Sequence, residues 1–186
     1  MKSTTDQETV INGVNVSQLG QTVDAVKGDP GLAKFRFHCT NRWINGGHNR
    51  STIQSFYGAG REHTERPQFV MDCGEPPVLL GSDEGANPVE YILNALAGCM
   101  TTTMIYHAAA RGIKLESVES ELQGELDLQG FLQLKDDIRK GYQLVTVKFK
   151  VKSDASAEQL EELARNSPVF DIVTNPVPVN VHVEKI

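Results

Sequence analysis

The stretch that decides the fold is residues 87–112, NPVEYILNALAGCMTTTMIYHAAARG. Asn87 is a good helix cap, Pro88 suits the first helical position, and Glu90 lies where a capping box places its acidic residue. Helices commonly end at a residue with left-handed backbone angles, which is usually glycine, and Gly112 stands at that place. We therefore predict one long helix across this stretch.

The body of this predicted helix carries no charge: residues 91–110 contain no Asp, Glu, Lys or Arg. A run of about 20 uncharged residues could span a bilayer. This run, however, contains Asn94, three threonines, Tyr106 and His107, and little Leu or Ile. Insertion of such a helix into a bilayer would be unfavourable. We expect no membrane span and predict a central helix that protein covers on all sides.

The composition around this helix is that of a soluble globular protein, with 186 residues, 39% hydrophobic and 23% charged. The net charge is −6, and nothing resembles the basic domain or stripe of a nucleic-acid binder, so we expect no nucleic-acid partner. Three cysteines, Cys39, Cys73 and Cys99, are an odd number in a chain long enough to fold without disulfides. The first residues contain no apolar run, so we expect no secretory signal there. Free thiols in a reducing, cytoplasmic compartment are therefore expected.

Alternating apolar residues predict strands on both sides of the long helix, and helix caps predict two further helices. Strands grouped between helices, rather than alternating strictly with them, are typical of an α+β fold. Pro178 is expected to place the last strand at a sheet edge. The predicted strands are 34–44, 49–57, 68–72, 115–128, 143–151 and 177–183, and the further helices begin near Asn15 and Ser156.

From the residues alone, Cys99 is either a packing residue or a nucleophile. A reactive cysteine needs a cation, a helix N-terminus or hydrogen bonds to stabilise its thiolate. Cys99 lies far into its helix, and Glu90 and Arg111 lie off its face, so any activating partner must come from another segment or subunit. The sequence contains no metal-ligand spacing, phosphate loop or serine-hydrolase elbow, so we expect no metal and no cofactor.

The run from Asn87 to Cys99 resembles the signature of the OsmC/Ohr family, in which Asn-Pro or Ser-Pro and acidic residues open an Ala- and Gly-rich helix that reaches a cysteine. Residues 167–170 and 175–179 resemble the C-terminal helix and strand of that family. The resemblance covers 34–186 and leaves 1–33 as an N-terminal extension with a short helix. It implies an α+β intertwined homodimer, with two central helices wrapped by antiparallel-rich sheets.

The resemblance also implies the chemistry of a thiol-dependent peroxidase. Cys99 would attack an organic hydroperoxide or hydrogen peroxide and become a sulfenic acid, which an external thiol or dithiol would return to the thiol. Glu90 and an arginine would activate the thiol and orient the peroxide. Arg50, which follows a Gly-Gly turn, is the arginine we favour, and Arg42 is the other candidate.

The sequence departs from the family pattern at the resolving cysteine, because Ser167 occupies that position and cannot form a disulfide. Ser167 is also a plausible helix cap, as Glu90 is, and Val89 stands where peroxidase members often carry an acidic residue. Three hypotheses stay open. Cys99 works alone with an external thiol; Cys73 or, less well placed, Cys39 resolves it; or the protein is not a peroxidase and binds a small apolar ligand.

Overall fold

The computed structural model describes residues 9–186, so residues 1–8 of the predicted N-terminal extension lie outside the described residues. The chain divides into two compact units. The first comprises the residues up to Val10 and Asn15–Ile92, and the second comprises Ile11–Val14 and Leu93–Ile186.

The N-terminal segment folds into a short hairpin of β1 (Val10–Ile11) and β2 (Val14–Asn15). Asn12 and Gly13 form its turn with φ values of 54° and 79°, which is the pair of positive angles that a type I′ turn requires. The Asn12 side chain bonds the backbone at two points of the second unit. Its Nδ2 donates to the carbonyl of Ile113 at 2.9 Å, and its Oδ1 accepts from the amide of Leu115 at 2.8 Å.

The first unit continues with a helix and two antiparallel three-stranded sheets. Helix α1 begins after Asn15, whose side chain accepts from the amide of Gln18 at 2.9 Å, as the predicted cap requires. One sheet has the order β3-β6-β7 and the other β4-β5-β8. The elements are α1 (Val16–Gly28), β3 (Arg36–Phe37), β4 (Thr40–Asn45), β5 (His48–Ile53), β6 (Phe56–Gly58), β7 (Arg61–His63) and β8 (Phe69–Cys73).

The described part of the first unit contains no buried hydrophobic side chain. Large apolar groups are instead at the surface, with Phe37 and Trp43 each 69% exposed. Hydrophobic burial is the main favourable term in folding, so sheets without a core need a covering partner.

The second unit contains the core of the chain, where the long helix, the β9-β10 sheet and the C-terminal helices pack together. Leu96, Met100 and Met104 of the long helix and Leu160 and Leu163 of α4 form its centre. β9 and β10 pair antiparallel, and alternate side chains of β10 turn inward. The elements are α2 (Pro88–Ala110), which begins in the first unit, β9 (Leu115–Glu125), α3 (Leu128–Phe131), β10 (Leu144–Ser153), α4 (Ala157–Arg165) and α5 (Pro168–Thr174).

The structure confirms the α+β class and most of the predicted elements. The long helix spans Pro88–Ala110, and the Ser156 capping box at the start of α4 is present. The predicted strand 34–44 is divided into β3 and β4, and the predicted strand 49–57 into β5 and β6. The elements β1, β2, β7 and α3 were not predicted. In addition, no helix of the described residues is long and apolar enough to cross a membrane.

The predicted strand 177–183 is wrong for the single chain, because these residues form no strand and their valines are exposed. Their alternating pattern is real, but a strand forms only where a neighbouring strand supplies hydrogen-bond partners. No other strand of the described residues pairs with this segment.

We expect Asn12→Gly to lower the free energy of unfolding by about 1–3 kcal/mol, because it keeps the positive φ but removes two partly buried hydrogen bonds. Urea unfolding measures this change. Asn166→Ala, which removes one exposed hydrogen bond to Glu162, is the control and should cost less than about 0.5 kcal/mol. Equal losses of free energy of unfolding in the two variants would contradict the stabilising role of the two Asn12 hydrogen bonds.

Candidate functional site

Cys99 lies near the middle of α2, beside the stripe that the helix buries. Leu96, Met100, Met104 and Ala108 form that stripe at intervals of four residues. Cys99, adjacent to Met100, is half-buried, and its thiol is free. It is therefore a partly accessible thiol rather than a core residue.

The other side of α2 is uncharged but exposed in the single chain. Ala95, Gly98, Thr102 and Tyr106 are all exposed there, and a Cβ atom added at Gly98 would meet nothing within 4 Å. The sequence analysis predicts that protein covers this helix on all sides. In the single chain, protein covers one side only. An uncharged helical face with small side chains permits a close approach by another helix.

Glu90 has a structural role at the start of α2. Its Oε2 accepts a hydrogen bond from the amide of Asn87 at 2.9 Å, while Asn87 Oδ1 accepts from the amide of Val89 at 3.0 Å. Asn87 Nδ2 also donates to the carboxylate of Glu75. The capping function that the sequence allowed for Glu90 is confirmed, and its catalytic role stays a prediction.

Arg50 is held by Asp72, its cross-strand partner on β8. Its Nε donates to Asp72 Oδ1 at 2.8 Å and its Nη2 to Oδ2 at 3.2 Å, a bidentate pair. His48 Nε2 lies 2.7 Å from the same Oδ1. The Arg50 hydrogen bond, and then that of His48, lowers the pKa of Asp72, and Asp72 in turn raises the pKa of Arg50.

Arg42, the other candidate arginine, pairs directly with Arg50 across β4 and β5. Like charges directly opposite each other destabilise a sheet. Asp72 compensates one of the two guanidinium groups, whereas Arg42 is exposed and makes no hydrogen bond or ion pair with any described residue. Of the two candidate arginines, Arg42 is therefore the one whose N–H groups are available to bind another molecule. Asp72 was missed by the sequence reasoning, because only the strand register brings it opposite Arg50.

The two remaining cysteines lie in the first unit. Burial raises the pKa of the Cys73 thiol, with smaller contributions from the charges of Asp72 and Cys39. Cys39 is exposed, and its sulfur lies 3.6 Å from the carbonyl oxygen of Thr40, to which it donates. A raised pKa reduces the fraction of Cys73 that is thiolate at neutral pH, and the thiolate is the nucleophilic form.

Ser167 is the buried N-cap of α5. It is 1% exposed, and its Oγ accepts from the amide of Phe170 at 3.1 Å. The capping function predicted for it from the following Pro168 is confirmed. No group of three or more His, Cys, Asp or Glu side chains within residues 9–186 could hold a metal ion.

A free, half-buried cysteine in the uncharged body of a long helix, with antiparallel sheets before and after it in the chain, defines a class of α+β protein built around a thiol-bearing helix. The family model for OsmC-like protein matches residues 81–182, which is more than half of the 186 residues. The chain therefore belongs to the OsmC-like family.

Solved structures of OsmC-like proteins have a similar fold. An OsmC-like protein from Mycoplasma pneumoniae matches with a TM-score of 0.55 and 14% identity over 76% of this chain and 89% of its own. A putative osmotic stress induced and detoxification response protein from Psychrobacter arcticus gives 0.52 and 13%, over 72% and 85%. An organic hydroperoxide resistance protein OsmC from Legionella pneumophila gives 0.50 and 17%, over 75% and 90%. No curated protein matches the chain in sequence.

The Asp72 ion pair predicts a pH-dependent contribution to stability. Because the pKa of Asp72 is lower in the folded chain than its ordinary 3.8, the pair stabilises the fold above that ordinary value. The contribution is lost as the pH falls through the folded-state pKa. We expect the difference in free energy of unfolding between the natural protein and Asp72→Asn to shrink as the pH falls below about pH 4, where the Asp72 carboxylate takes up a proton.

Titration of the Asp72 carboxyl carbon by NMR identifies the partner. Arg50→Gln should raise the pKa of Asp72 toward 3.8, because it removes the largest cause of the lowering. Arg42→Gln removes the same charge from the adjacent strand without breaking a bond to Asp72, and is the matched control. An unchanged pKa in Arg50→Gln, or equal changes in both variants, would refute the assignment.

Proposed function

We propose that this protein is an OsmC-like thiol-dependent peroxidase that reduces organic hydroperoxides or hydrogen peroxide through Cys99. The observation that carries the proposal is the position of Cys99, a free and half-buried thiol on the helix that the family model covers. The name of the Legionella pneumophila relative, an organic hydroperoxide resistance protein, supports the same chemistry.

In the proposed reaction, the Cys99 thiolate attacks one oxygen of the peroxide. The O–O bond breaks, the sulfur is oxidised to a sulfenic acid, and the other oxygen leaves as an alkoxide or hydroxide that takes up a proton. Glu90 and Arg50 are the proposed activating pair. Since Arg50 is fixed by Asp72 and Arg42 is unpaired, Arg42 is the alternative that could turn its donors toward a peroxide.

We propose that an external thiol or dithiol, rather than a second cysteine of the chain, reduces the Cys99 sulfenic acid. Ser167 is a buried cap at the family's resolving position, and its hydroxyl cannot form a disulfide. Cys73 has a raised pKa, which disfavours its attack as a thiolate. A first thiol would form a mixed disulfide with Cys99 and release the sulfenic oxygen as water, and a second thiol would restore the Cys99 thiol and leave with the first as a disulfide.

We further propose that the protein acts as an intertwined homodimer in the cytoplasm, with residues 34–186 as the OsmC-like domain and 1–33 as an extension. Two features support the dimer. The uncharged face of α2 around Gly98 is uncovered in the single chain, and the first unit leaves Phe37 and Trp43 exposed. Apolar surface of this extent marks a binding site for another protein surface. A second copy would supply the missing cover.

A second candidate function is the binding of a small apolar ligand without peroxidase chemistry. The second unit contains a groove of about 540 Å³ whose lining includes Met100, Met104, Val147 and Phe149. This volume lies within the range of small-molecule sites. Ligand binding alone would leave Cys99 unreactive toward peroxide, so the same experiment separates the two functions.

Mixing the reduced protein with cumene hydroperoxide and dimedone should consume the peroxide and attach dimedone to Cys99. Cys99→Ser should lower the rate of peroxide consumption at least about 100-fold, because the nucleophile is lost. Cys73→Ser and Cys39→Ser are the matched controls and should retain the rate. Mass spectrometry of all three thiols gives the labelled site.

Unchanged peroxide together with an unlabelled Cys99 would rule out the peroxidase and favour the ligand-binding alternative. A disulfide between Cys99 and Cys73 in the oxidised protein would contradict the proposed external resolution but leave the peroxidase standing.

Gly98→Leu tests the proposed helix contact in the dimer. Within one chain a Cβ atom added at Gly98 meets nothing within 4 Å, and Leu is a better helix former than Gly. A leucine there should nevertheless raise the dimer dissociation constant at least about tenfold, since it separates the packed helices by several ångströms. Sedimentation equilibrium measures the constant.

Gly20→Leu is the matched control, because Gly20 lies in α1 and its added Cβ also meets nothing within 4 Å. It should leave the dimer unchanged. A dimer equally stable in both variants would place the interface away from this face of α2.

A further inference from the structure

The β3-β6-β7 sheet of the first unit carries a row of aromatic rings on one face. Phe37, Phe56 and His63, which we call the aromatic row, lie directly opposite one another on the three strands. The ring centroids of Phe37 and Phe56 are 5.5 Å apart, and those of Phe56 and His63 are 4.5 Å apart with the planes inclined by 5°. Only the strand register assembles this row, so local sequence patterns do not predict it.

Contacts with Gly58 fix the rings. His63 Nε2 donates to the carbonyl of Gly58 at 3.0 Å, which sets the orientation of the imidazole ring. Phe35 stacks on Phe37 and on Phe56, with centroids 6.0 and 6.3 Å apart, and a Cβ atom added at Gly58 would lie 2.3 Å from its ring. Because the rings are held in place within the chain, a molecule that binds them has little side-chain freedom to remove.

Phe37 forms the open end of the aromatic row. The strand β3 that carries it is an edge strand of the sheet, and the Phe37 side chain is 69% exposed. Stacked aromatic rings attract each other beyond the gain from burial alone. A flat ring from another molecule could therefore continue the row at Phe37.

Arg66 places a positive charge beside the row. Its Cζ lies 5.4 Å from the ring centroid of Phe56 and 4.9 Å from that of Phe69. The side chain is half-buried, yet it forms no hydrogen bond or ion pair with any residue that the structure describes. The adjacent carboxylate of Glu65 accepts instead from the amide of Thr64 at 3.3 Å. A partly desolvated guanidinium with free donors is a favourable partner for an anion.

On the opposite face of the same sheet, the corresponding positive charge is neutralised. Arg36 Cζ lies 5.5 Å from the ring centroid of Tyr57, and Arg36 Nη2 lies 3.8 Å from a carboxylate oxygen of Glu62. These three residues are cross-strand neighbours. Of the two arginines that stack on rings of this sheet, Arg66 is therefore the one without an acidic partner among residues 9–186.

We propose that the aromatic row and Arg66 bind a planar aromatic molecule with an anionic group on a short arm, the chemistry that flavin mononucleotide and adenosine monophosphate share. The flat ring stacks on Phe37, and the anionic group accepts hydrogen bonds from Arg66, which neighbours the same Phe56 ring. One guanidinium can bind one phosphate without a phosphate loop. The net charge of −6 opposes a polyanion such as RNA.

A second copy of the chain is the other possible cover for Phe37. An apolar surface of a second copy would cover the ring but leave the charge of Arg66 without a partner, whereas an anionic aromatic ligand accounts for both features. The site uses none of the residues of the proposed peroxidase, so the two proposals can fail separately.

Flavin fluorescence measures the binding, because stacking on an aromatic side chain quenches it. Titration with the full chain should quench flavin mononucleotide to saturation. Riboflavin, which has the same ring and no phosphate, should bind at least about tenfold more weakly, since it loses a charge-assisted hydrogen bond. Arg66→Gln should abolish this difference between the two flavins. Arg36→Gln removes the stacked arginine of the opposite face and is the matched control, in which the difference should persist.

Phe37→Leu tests the stacking ring. It should weaken the binding of both flavins at least about fivefold, because an aliphatic side chain cannot continue the row. Trp43→Leu removes an aromatic side chain with the same 69% exposure from the other sheet of the unit, and should leave both affinities unchanged. Competition by adenosine monophosphate identifies the ring: displacement of the flavin supports a nucleotide ligand, and no displacement supports a flavin.

The comparison of the two flavins needs no variant, so the proposal can be refuted in the natural protein. Absent quenching, or equal affinity for flavin mononucleotide and riboflavin, overturns the site. Equal effects of Arg66→Gln and Arg36→Gln overturn the anion contact, and equal effects of Phe37→Leu and Trp43→Leu overturn the stacking contact. A chain that sediments as a dimer and quenches neither flavin overturns this inference and leaves the homodimer intact.

Discussion

The structure depends on one constraint: residues 91–110 of α2 carry no charge, and both faces of this helix need cover, but the chain covers only one. The β9-β10 sheet and α4 bury the stripe of Leu96, Met100 and Met104. Gly98 and its neighbours remain at the surface. Exposing uncharged and apolar groups to water forfeits the main driving force of folding, so this second face is the part of α2 that the single chain leaves without stabilising contacts.

Both units contain surfaces that no other part of the described chain packs against or pairs with. In the first, hydrogen-bonded ladders and the Asp72 network order two sheets, yet no hydrophobic side chain is buried there. Ion pairs that are partly exposed to solvent add little stability, so the network sets geometry rather than supplying a core. In the second, β9 and β10 pair only with each other among the described residues, so one edge of each strand has no strand beside it.

Local sequence patterns were sufficient to predict the helices whose cap residues bond to backbone amides within one helical turn. The caps at Asn87, Ser156 and Ser167 bond backbone amides within three residues, so sequence spacing alone predicts the starts of three helices. Partners across strands are different. Asp72 meets Arg50 only through the register of β5 and β8, and the 177–183 segment needs a strand that this chain does not bring to it. Such pairings depend on tertiary and quaternary structure, which local periodicity does not contain.

The chemistry of the candidate site is constrained by the same structural roles. Ser167 is buried and bonded to the amide that opens α5, so the residue at this position serves the fold whether or not it serves a reaction. Asp72 engages Arg50 through both carboxylate oxygens, while Arg42, directly opposite on the neighbouring strand, is exposed and bonded to no described residue. Because the Asp72 carboxylate offsets the charge of Arg50, the like-charge pair across β4 and β5 costs less than two uncompensated guanidinium groups would. The two candidate arginines therefore differ in their structural roles: an ion pair fixes Arg50 in the sheet, and none fixes Arg42.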